Sequence, residues 1–326
     1  MISSDTLMFS GPYAALCRSF IEYKRGVGYS YGKRQCYAVK YLCDYLAVFS
    51  PDIVGLSCSL VEGYIQRKPA ESATTQEKRV YIIRQFGMYL SSLGYEAYPP
   101  PYDCIKKDKT FVPHIYTKDE IIKIIKAAES LKYVHRAPNS HLVYPLLLKM
   151  LFGCGLRISE ALSLKMEDVN ITEGILHIRQ SKVNSSRLVP MSQNLTESCR
   201  DYYTKMGYYS RKTGFFLEVR PGVPYKHTSC YNRFRFFLEQ AGIRHAGRGK
   251  GPRLHDARHT YAVYALEHMV RQGMDIYCAL PILSAYMGHR TIESTEKYVR
   301  LVPSFHQNII NTMQPVYSGL FPEVKD

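Results

Sequence analysis

The sequence predicts a mainly α-helical protein of two domains, with a small β-hairpin or sheet in the second. Apolar residues recur at helical spacing through residues 12–98, and no strand pattern interrupts them. Three successive prolines, Pro99 to Pro101, then end the helical pattern, because proline cannot continue a helix. Residues 174–179 and 187–191 have the pattern of two paired strands. We therefore expect an all-helical domain followed by a mixed α+β domain.

The first domain is expected to span residues 1–110 and to contain four or five helices. The 326 residues are enough for about two domains of roughly 150 residues each. Breaks in the helical pattern fall at residues 26–30, at Ser50-Pro51 and at residues 69–75. A charged connector, Lys106-Lys107-Asp108-Lys109, follows the prolines and places the boundary near residue 110.

The second domain, residues 111–326, is expected to start its first helix at a capping box formed by Thr117 and Glu120. A glycine turn at residues 153–155 should follow one buried helix and lead into another. Helices are predicted over residues 142–152, from about Ile158, over 228–241, 254–272 and 277–287, and from near Ser294. The two strands lie between these groups of helices.

The composition indicates a folded protein with a polyanionic partner. Hydrophobic residues make up 46% of the chain, enough to build buried cores. The formal net charge is +15, of which residues 1–105 carry +2 and residues 106–326 carry +13. A basic surface attracts phosphate and steers association with it. A basic surface without a specific partner is the alternative, but the uneven distribution favours phosphate binding by the second domain.

Cysteine usage and the N-terminal sequence predict a cytoplasmic protein. The nine cysteines form no CxxC pair and lack the density of a secreted disulfide scaffold. Residues 1–11 lack the basic and apolar regions of a signal peptide, and no window approaches the apolar length of a membrane span. We therefore expect reduced thiols and no membrane partner.

Five residues have the chemistry of a catalytic site. They are Arg157 in GLRISEALSL, His255 and Arg258 in LHDARHTY, His289 in YMGHR and Tyr298 in TEKYV. Together they supply the groups needed to hold a phosphodiester, neutralise its developing charge and attack it with a phenol. Since the unperturbed pKa of tyrosine is about 10, the phenol needs cationic neighbours or a base to attack at neutral pH. Polynucleotide strand transfer is the leading prediction.

Each candidate also has a structural interpretation. Arg157 follows a glycine turn and opens a helix, where a phosphate can bind, but a surface ion pair with Glu160 is the alternative. His255 and Arg258 share a helix face, which suits either one bound phosphate or a structural hydrogen bond. Lys182, in the hairpin connection, is either an acid that protonates a leaving oxygen or a solvated turn residue.

The sequence predicts no metal and no nucleotide cofactor. His255 and His259 are spaced like zinc ligands, but Asp256 stands where a metalloprotease has glutamate, and no third ligand is evident. No glycine-rich phosphate loop ending in Gly-Lys-Ser/Thr is present. An NTP-driven enzyme is therefore disfavoured.

The same segments resemble the tyrosine recombinase family (phage integrase or Xer-like site-specific recombinases), and they occur in the family's order. GLRISEALSLKMEDV is similar to the first arginine box and RQSKVNSSRLVPM to the β-hairpin, in which Ser185 replaces a lysine of many relatives. LHDARHTYA and LSAYMGHRTIESTEKYV are similar to the HxxR box and the box of the nucleophile. The resemblance implies a helical core-binding (SAM-like) domain, a mixed α+β catalytic domain and six catalytic residues: Arg157, Lys182, His255, Arg258, His289 and Tyr298.

The resemblance also implies a mechanism. Tyr298 attacks the scissile phosphate, which leaves a 3′-phosphotyrosine and a free 5′-hydroxyl, and His255 accepts the phenolic proton. Arg157, Arg258 and His289 bind the non-bridging oxygens, where charge builds up in the transition state. The covalent link retains the energy of the broken bond, so rejoining needs neither ATP nor a metal.

The implied partner is double-stranded DNA with specific recombination sites. Lys182 would protonate the leaving 5′ oxygen. Lys106, Lys107 and Lys109 are expected to contact the DNA backbone, with a solvated linker as the alternative. The resemblance further implies a homotetramer on paired sites, with an accessory protein or a partner recombinase as a further component to test. The apolar tail over residues 305–321 is expected to pack on its own domain or on a neighbouring subunit.

Integration or excision of a mobile element is the expected role, and chromosome-dimer resolution is the second choice. Two other functions stay open. A type IB topoisomerase uses the same chemistry to relax supercoils, and a catalytically silent DNA-binding protein would occupy sites without cleaving them. Covalent trapping distinguishes a catalyst from a binder, and product topology distinguishes the two enzymes.

Overall fold

The chain separates into two compact units, Met1–Phe111 and Val112–Asp326. The computed structural model describes residues 7–49, 54–105, 112–179, 186–208, 213–247 and 251–302. Both units are mainly helical, and the sheets lie in the second unit. The predicted fold class, mainly α with a small β component, is confirmed.

Four helices form the described part of the first unit: α1 (Ala14–Gly26), α2 (Lys33–Phe49), α3 (Cys58–Ile65) and α4 (Ala73–Ser92). Ser57 and Ser72 cap α3 and α4, because their hydroxyls accept hydrogen bonds from backbone N–H groups of the first turn. Phe20 of α1 and Phe86 of α4 meet edge to face in the core, with ring centroids 5.4 Å apart. The helical spacing of apolar residues therefore produces a bundle around one aromatic core.

The described part of the second unit contains the helices α5 (Lys118–Glu129), α6 (Ser140–Cys154), α7 (Ile158–Ser163), α8 (Gln193–Lys205), α9 (His227–Gln240), α10 (Asp256–Arg271), α11 (Ile276–Met287) and α12 (Glu293–Glu296). The predicted capping box opens α5. The Thr117 hydroxyl accepts a hydrogen bond from the Glu120 N–H, and the Glu120 carboxylate accepts one from the Thr117 N–H. Over the described ranges, no helix combines the length and the apolar character that crossing a membrane requires.

A three-stranded antiparallel sheet interrupts these helices, in the order β1 (Val169–Asn170), β2 (Ile175–Ile178) and β3 (Arg187–Pro190). The strands β2 and β3 are the two that the sequence predicted, and they pair from Ile175 opposite Pro190 to Ile178 opposite Arg187. The strand β1, the short pair β4 (Glu218–Arg220) and β5 (Val223–Pro224), and helix α8 were not predicted. Strands of two or three residues are too short to show alternation.

The turn after α6 differs from the prediction. The sequence predicted a turn over residues 153–155, but α6 continues through Cys154 and only Gly155 leaves the helix. Gly155 has a φ of 59°, in the left-handed region where the missing Cβ of glycine is an advantage. This single residue redirects the chain from the buried α6 toward Arg157 and the start of α7.

Candidate active site

Five of the six predicted catalytic residues lie at helix ends in the second unit. Arg157 immediately precedes α7, and His255 immediately precedes α10, with Arg258 in the first turn of that helix. His289 follows the left-handed glycine that ends α11, and Tyr298 lies just beyond α12. Side-chain contacts bring these helix ends together.

Four predicted lysines lie outside the described residues. Lys182 belongs to the connection between β2 and β3, and Lys106, Lys107 and Lys109 belong to the connector at the end of the first unit. The apolar tail beyond residue 302 also lies outside the described residues. The roles given to these segments stay predictions.

Arg258 joins the chain segments that end α6 and α11. Its guanidinium donates one hydrogen bond to the Gly155 carbonyl at 2.7 Å and another to the Met287 carbonyl. The side chain is 3% exposed, so these carbonyls replace water as its partners. Burial and the neighbouring charge of Arg157 lower the pKa of Arg258 to about 10, and the group is still protonated at neutral pH.

Arg157 enters the same region from the start of α7. Its guanidinium lies 2.7 Å from the Glu160 carboxylate and donates to the Gly288 carbonyl at 3.1 Å. The ion pair offered as the structural interpretation of Arg157 is therefore present, but it is part of a larger cluster. The side chain retains 18% exposure, which leaves one side available to a ligand.

Glu160 is the common partner of three arginines, and we call these four residues the Glu160 cluster. Arg187 binds both carboxylate oxygens, at 3.1 and 2.9 Å, Arg157 binds one of them, and Arg258 lies 3.9 Å away. Burial alone would raise the pKa of Glu160, but hydrogen bonds from Arg187 and Arg157 hold it at about 2. Because the carboxylate is ionised, the cluster carries two more positive charges than negative ones and favours an anionic ligand.

Arg187 is a site residue that sequence reasoning missed. It begins β3, and its Nε donates a hydrogen bond to the Tyr286 carbonyl of α11 at 2.8 Å, 99 positions along the chain. A local sequence pattern cannot predict a contact between residues so far apart in the chain. The available hint was the position of Arg187 in the hairpin segment RQSKVNSSRLVPM, beside the predicted Lys182.

His289 and Tyr298 lie ring against ring, with centroids 6.0 Å apart and planes 25° from parallel. The His289 Nδ1 lies 2.8 Å from the Thr295 hydroxyl, which fixes the orientation of the imidazole. Burial and the charges of Arg258 and Arg157 lower the pKa of His289 to about 4. The imidazole is therefore neutral at pH 7, and in the tautomer whose Nδ1 accepts from the Thr295 hydroxyl the Nε2–H is the donor for a ligand.

The hydroxyl of Tyr298 contacts His259 and not His255. The side chain of Tyr298 is 3% exposed, and its Oη lies 3.2 Å from the His259 Nδ1. Burial raises the pKa of the phenol, whereas the charges of Arg258 and Arg157 lower it. His255 instead packs edge to face on the His259 ring, with centroids 5.0 Å apart. This contact was not predicted from the sequence, where the spacing of His259 from His255 suggested a zinc ligand alone.

Taken together, these contacts form a site that can bind a phosphate beside a phenol. The charges of Arg157 and Arg258 act on both His289 and Tyr298, so the four side chains share one electrostatic environment. Guanidinium groups bind phosphate oxygens through paired N–H donors. In the part of the chain that the structure describes, no group of three or more His, Cys, Asp or Glu side chains is placed to hold a metal ion.

The lowered pKa values of two site histidines predict that the protein loses stability in acid. His255 and His289 have pKa values of about 4 in the folded protein against about 6.5 in an unfolded chain, so the unfolded state binds more protons between these values. The free energy of unfolding is therefore fully retained above about pH 6.5 and falls toward about pH 4. Denaturant unfolding across this pH range measures the decrease in the free energy of unfolding. In the double variant His255→Gln, His289→Gln this free energy should depend less on pH. A wild-type stability that does not change with pH would contradict the prediction.

Replacing Gly155 with alanine is expected to destabilise the second unit by about 2–4 kcal/mol, since left-handed strain costs about 1 and overpacking about 1–3. A Cβ at this position would lie 2.5 Å from a ring carbon of Tyr261. Gly207 is the matched control, because its φ is 66° and its Cβ would meet nothing within 4 Å. Denaturant unfolding of Gly155→Ala and Gly207→Ala separates strain from crowding, and equal losses would contradict the steric contribution.

Residues 115–304 match the model of the phage integrase family. The integrase/recombinase y4rB of Sinorhizobium fredii is 27% identical over 311 residues, which cover 91% of this chain and 95% of that protein. The tyrosine recombinase XerC of Thermodesulfovibrio yellowstonii is 23% identical over 257 residues, which cover 74% of this chain and 77% of the relative.

Among solved structures, the XerH site-specific recombinase bound to a palindromic difH substrate has a TM-score of 0.65 and 14% identity, over 95% of this chain and 91% of that one. This likeness supports the fold of the chain. The family match spans more than half of the chain and includes all five described site residues. The resemblance noted in the sequence is confirmed, and the chain belongs to the phage integrase family as a site-specific recombinase of the tyrosine type.

Proposed function

We propose that the protein cleaves and rejoins DNA strands through a 3′-phosphotyrosine intermediate formed on Tyr298. The observation that carries this proposal is the position of the buried phenol beside His289. The charges of Arg258 and Arg157 act on this phenol and lower its pKa against the effect of burial. A tyrosine that only fills a core needs one hydrogen-bond partner. A tyrosine that attacks as phenolate needs nearby positive charge, because burial alone raises its pKa.

In this proposal Arg157, Arg258 and His289 bind the non-bridging oxygens of the scissile phosphate. Hydrogen bonds to carbonyl, carboxylate or hydroxyl groups hold each of them in place before DNA binds. Such preorganised donors need no rearrangement when charge develops, and removal of one typically slows the reaction by about 10²–10³-fold. His255, beside Arg258 at the start of α10, supplies a further contact to the same phosphate.

Lys182 is proposed as the acid that protonates the 5′ leaving oxygen. The ammonium group of a lysine can donate a proton to a leaving oxygen. Lys106, Lys107 and Lys109 are proposed to contact DNA phosphates outside the cleavage site. Each phosphate contact should add roughly −0.9 to the slope of log affinity against log salt concentration, so a triple alanine variant should bind with a shallower slope.

We further propose that the protein acts in the cytoplasm as a homotetramer on paired DNA sites. Its proposed role is integration or excision of a mobile element, in line with the integrase/recombinase name of the S. fredii relative that it matches over most of both chains. Chromosome-dimer resolution is the second role to test. The location of the recovered DNA sites decides between the two.

Capture of covalent protein–DNA adducts from fragmented DNA of the source genome tests this function. The DNA ends attached to the protein are sequenced, and the adducted peptide is identified by mass. We expect a few inverted-repeat sites and an adduct on the peptide that contains Tyr298. Scattered sites would indicate a topoisomerase instead, and specific binding without any adduct would indicate a silent DNA-binding protein.

A further inference from the structure

His259 is placed to act directly on the nucleophile. Its Nδ1 lies 3.2 Å from the Tyr298 hydroxyl, and the two rings have centroids 5.7 Å apart. The residue is half-buried on the first turns of α10, one position after Arg258. Among the described side chains, His259 is the hydrogen-bond partner of the Tyr298 hydroxyl, and the described ring contact of His255 is with His259.

We propose that His259, and not His255, receives the phenolic proton of Tyr298 during strand cleavage. This inference rests on the proposed attack by Tyr298. As the bond from Tyr298 Oη to phosphorus forms, the bond from phosphorus to the 5′ oxygen breaks. The phenolic proton moves to His259 Nδ1, and the leaving oxygen takes a proton from the ammonium group of Lys182. Rejoining reverses each transfer, so no external oxidant, reductant or nucleotide is required.

The proposal requires a neutral His259 whose Nδ1 lone pair faces the phenol and whose Nε2 carries the proton. The titratable and charged groups around it, on α10 and on the segments packed against α10, are Arg253, His255, Asp256, Arg258, His289, Lys297 and Tyr298. Burial lowers the pKa of His259, Asp256 opposes that effect, and the neighbouring cations reinforce it. The ring is therefore neutral at pH 7 and free to accept a proton.

Asparagine substitutions separate the two histidines. The Oδ1 of asparagine occupies about the position of Nδ1, so His259→Asn can accept the hydrogen bond from Tyr298 but cannot take its proton. We expect His259→Asn to cleave DNA about 10²-fold more slowly, since general-base catalysis contributes about 10²–10⁴-fold. His255→Asn is the matched variant one helical turn away. Single-turnover cleavage is measured on a duplex that contains a site recovered by adduct capture.

The pH profile of cleavage provides a readout that a structural role would not change. Wild-type cleavage should accelerate with pH as His259 loses its proton, and this acidic limb should disappear in His259→Asn but persist in His255→Asn. The opposite result, in which His255→Asn loses the limb and His259→Asn keeps it, would overturn the proposal. Wild-type cleavage by His259→Asn would overturn it as well.

Chemical rescue keeps the test valid if the asparagine perturbs the site. In His259→Ala, added imidazole should restore cleavage toward the wild-type rate, with DNA binding and thermal unfolding as checks of the fold. If a folded, DNA-binding His259→Ala gains nothing from imidazole, the assignment to His259 fails. The proposed function fails separately, if Tyr298→Phe still forms covalent adducts.

Discussion

Replacing Tyr298 with phenylalanine is expected to abolish covalent attachment to DNA while leaving DNA affinity unchanged. The phenol is the bond-forming group in the proposed mechanism, and a loss on the order of 10⁴-fold or more is expected when a covalent nucleophile is removed. The side chains proposed to bind the phosphate stay in place, because the hydroxyl has a single described contact, to His259. Losing that hydrogen bond should cost about 1 kcal/mol of stability. Denaturing gels report the adduct, and a filter-binding titration of the same duplex reports affinity.

Tyr264→Phe is the matched control for this variant. Tyr264 lies on α10, and its hydroxyl donates one hydrogen bond to the Tyr116 carbonyl at 2.9 Å, away from the Glu160 cluster. Both variants therefore remove one hydroxyl and one hydrogen bond, but Tyr264→Phe should still form adducts. A Tyr298→Phe protein that cleaves DNA would show that another residue is the nucleophile. A Tyr264→Phe protein that fails to cleave would show that loss of a hydrogen-bonded tyrosine hydroxyl on α10 or its neighbours is enough to explain the defect.

The sequence predicts most of the helices and the two longer strands of the second unit, but it did not predict the 13-residue α8. The helix around residues 142–152 and those over 254–272 and 277–287 were predicted from apolar spacing, and α6, α10 and α11 occupy those segments. The two longest strands were predicted from alternation. The end of α6 was placed too early, because glycine at 153 is tolerated inside a well-packed helix and only a left-handed residue is forced to leave it.

The candidate site could be predicted for a different reason, namely that its residue types are unusual in combination. Arginine, histidine and tyrosine in ordered motifs suggested one phosphate-binding site, and the structure brings Arg157, Arg258, His289 and Tyr298 together. Their catalytic roles stay predictions. Sequence could not show which histidine touches the phenol, because that depends on how the segment after α12 packs against α10.

The contribution of Glu160 was also beyond local sequence reasoning. Its nearness to Arg157 is a property of helix spacing, but its contacts with Arg187 and Arg258 require β3 and α10 to converge on α7. A carboxylate shared by three arginines is a tertiary feature. It explains how three buried or half-buried cations can be held close together.

Glu160→Gln is therefore expected to destabilise the protein by about 3–5 kcal/mol, because it leaves buried arginines without their counter-charge. The side chain of Glu160 is 2% exposed, and those of Arg187 and Arg258 are 9% and 3% exposed, so water cannot compensate. Glu129→Gln is the control, since the Glu129–Lys149 ion pair is 45% and 33% exposed and should contribute less than about 1 kcal/mol. Denaturant unfolding at neutral pH measures both, and similar losses would contradict a special role for Glu160.

DNA should stabilise the Glu160→Gln variant more than it stabilises the wild type. A bound phosphate brings negative charge to Arg157 and Arg258, and this charge replaces part of what the glutamine removed. Because a ligand stabilises a fold in proportion to the logarithm of its free concentration over its dissociation constant, tighter binding by the variant appears as a larger stabilisation when both proteins are compared at the same free DNA concentration. Thermal unfolding with and without duplex DNA then reports the difference. Equal stabilisation of the two proteins would mean that the phosphate binds away from the Glu160 cluster, and the proposed site of cleavage would have to move with it.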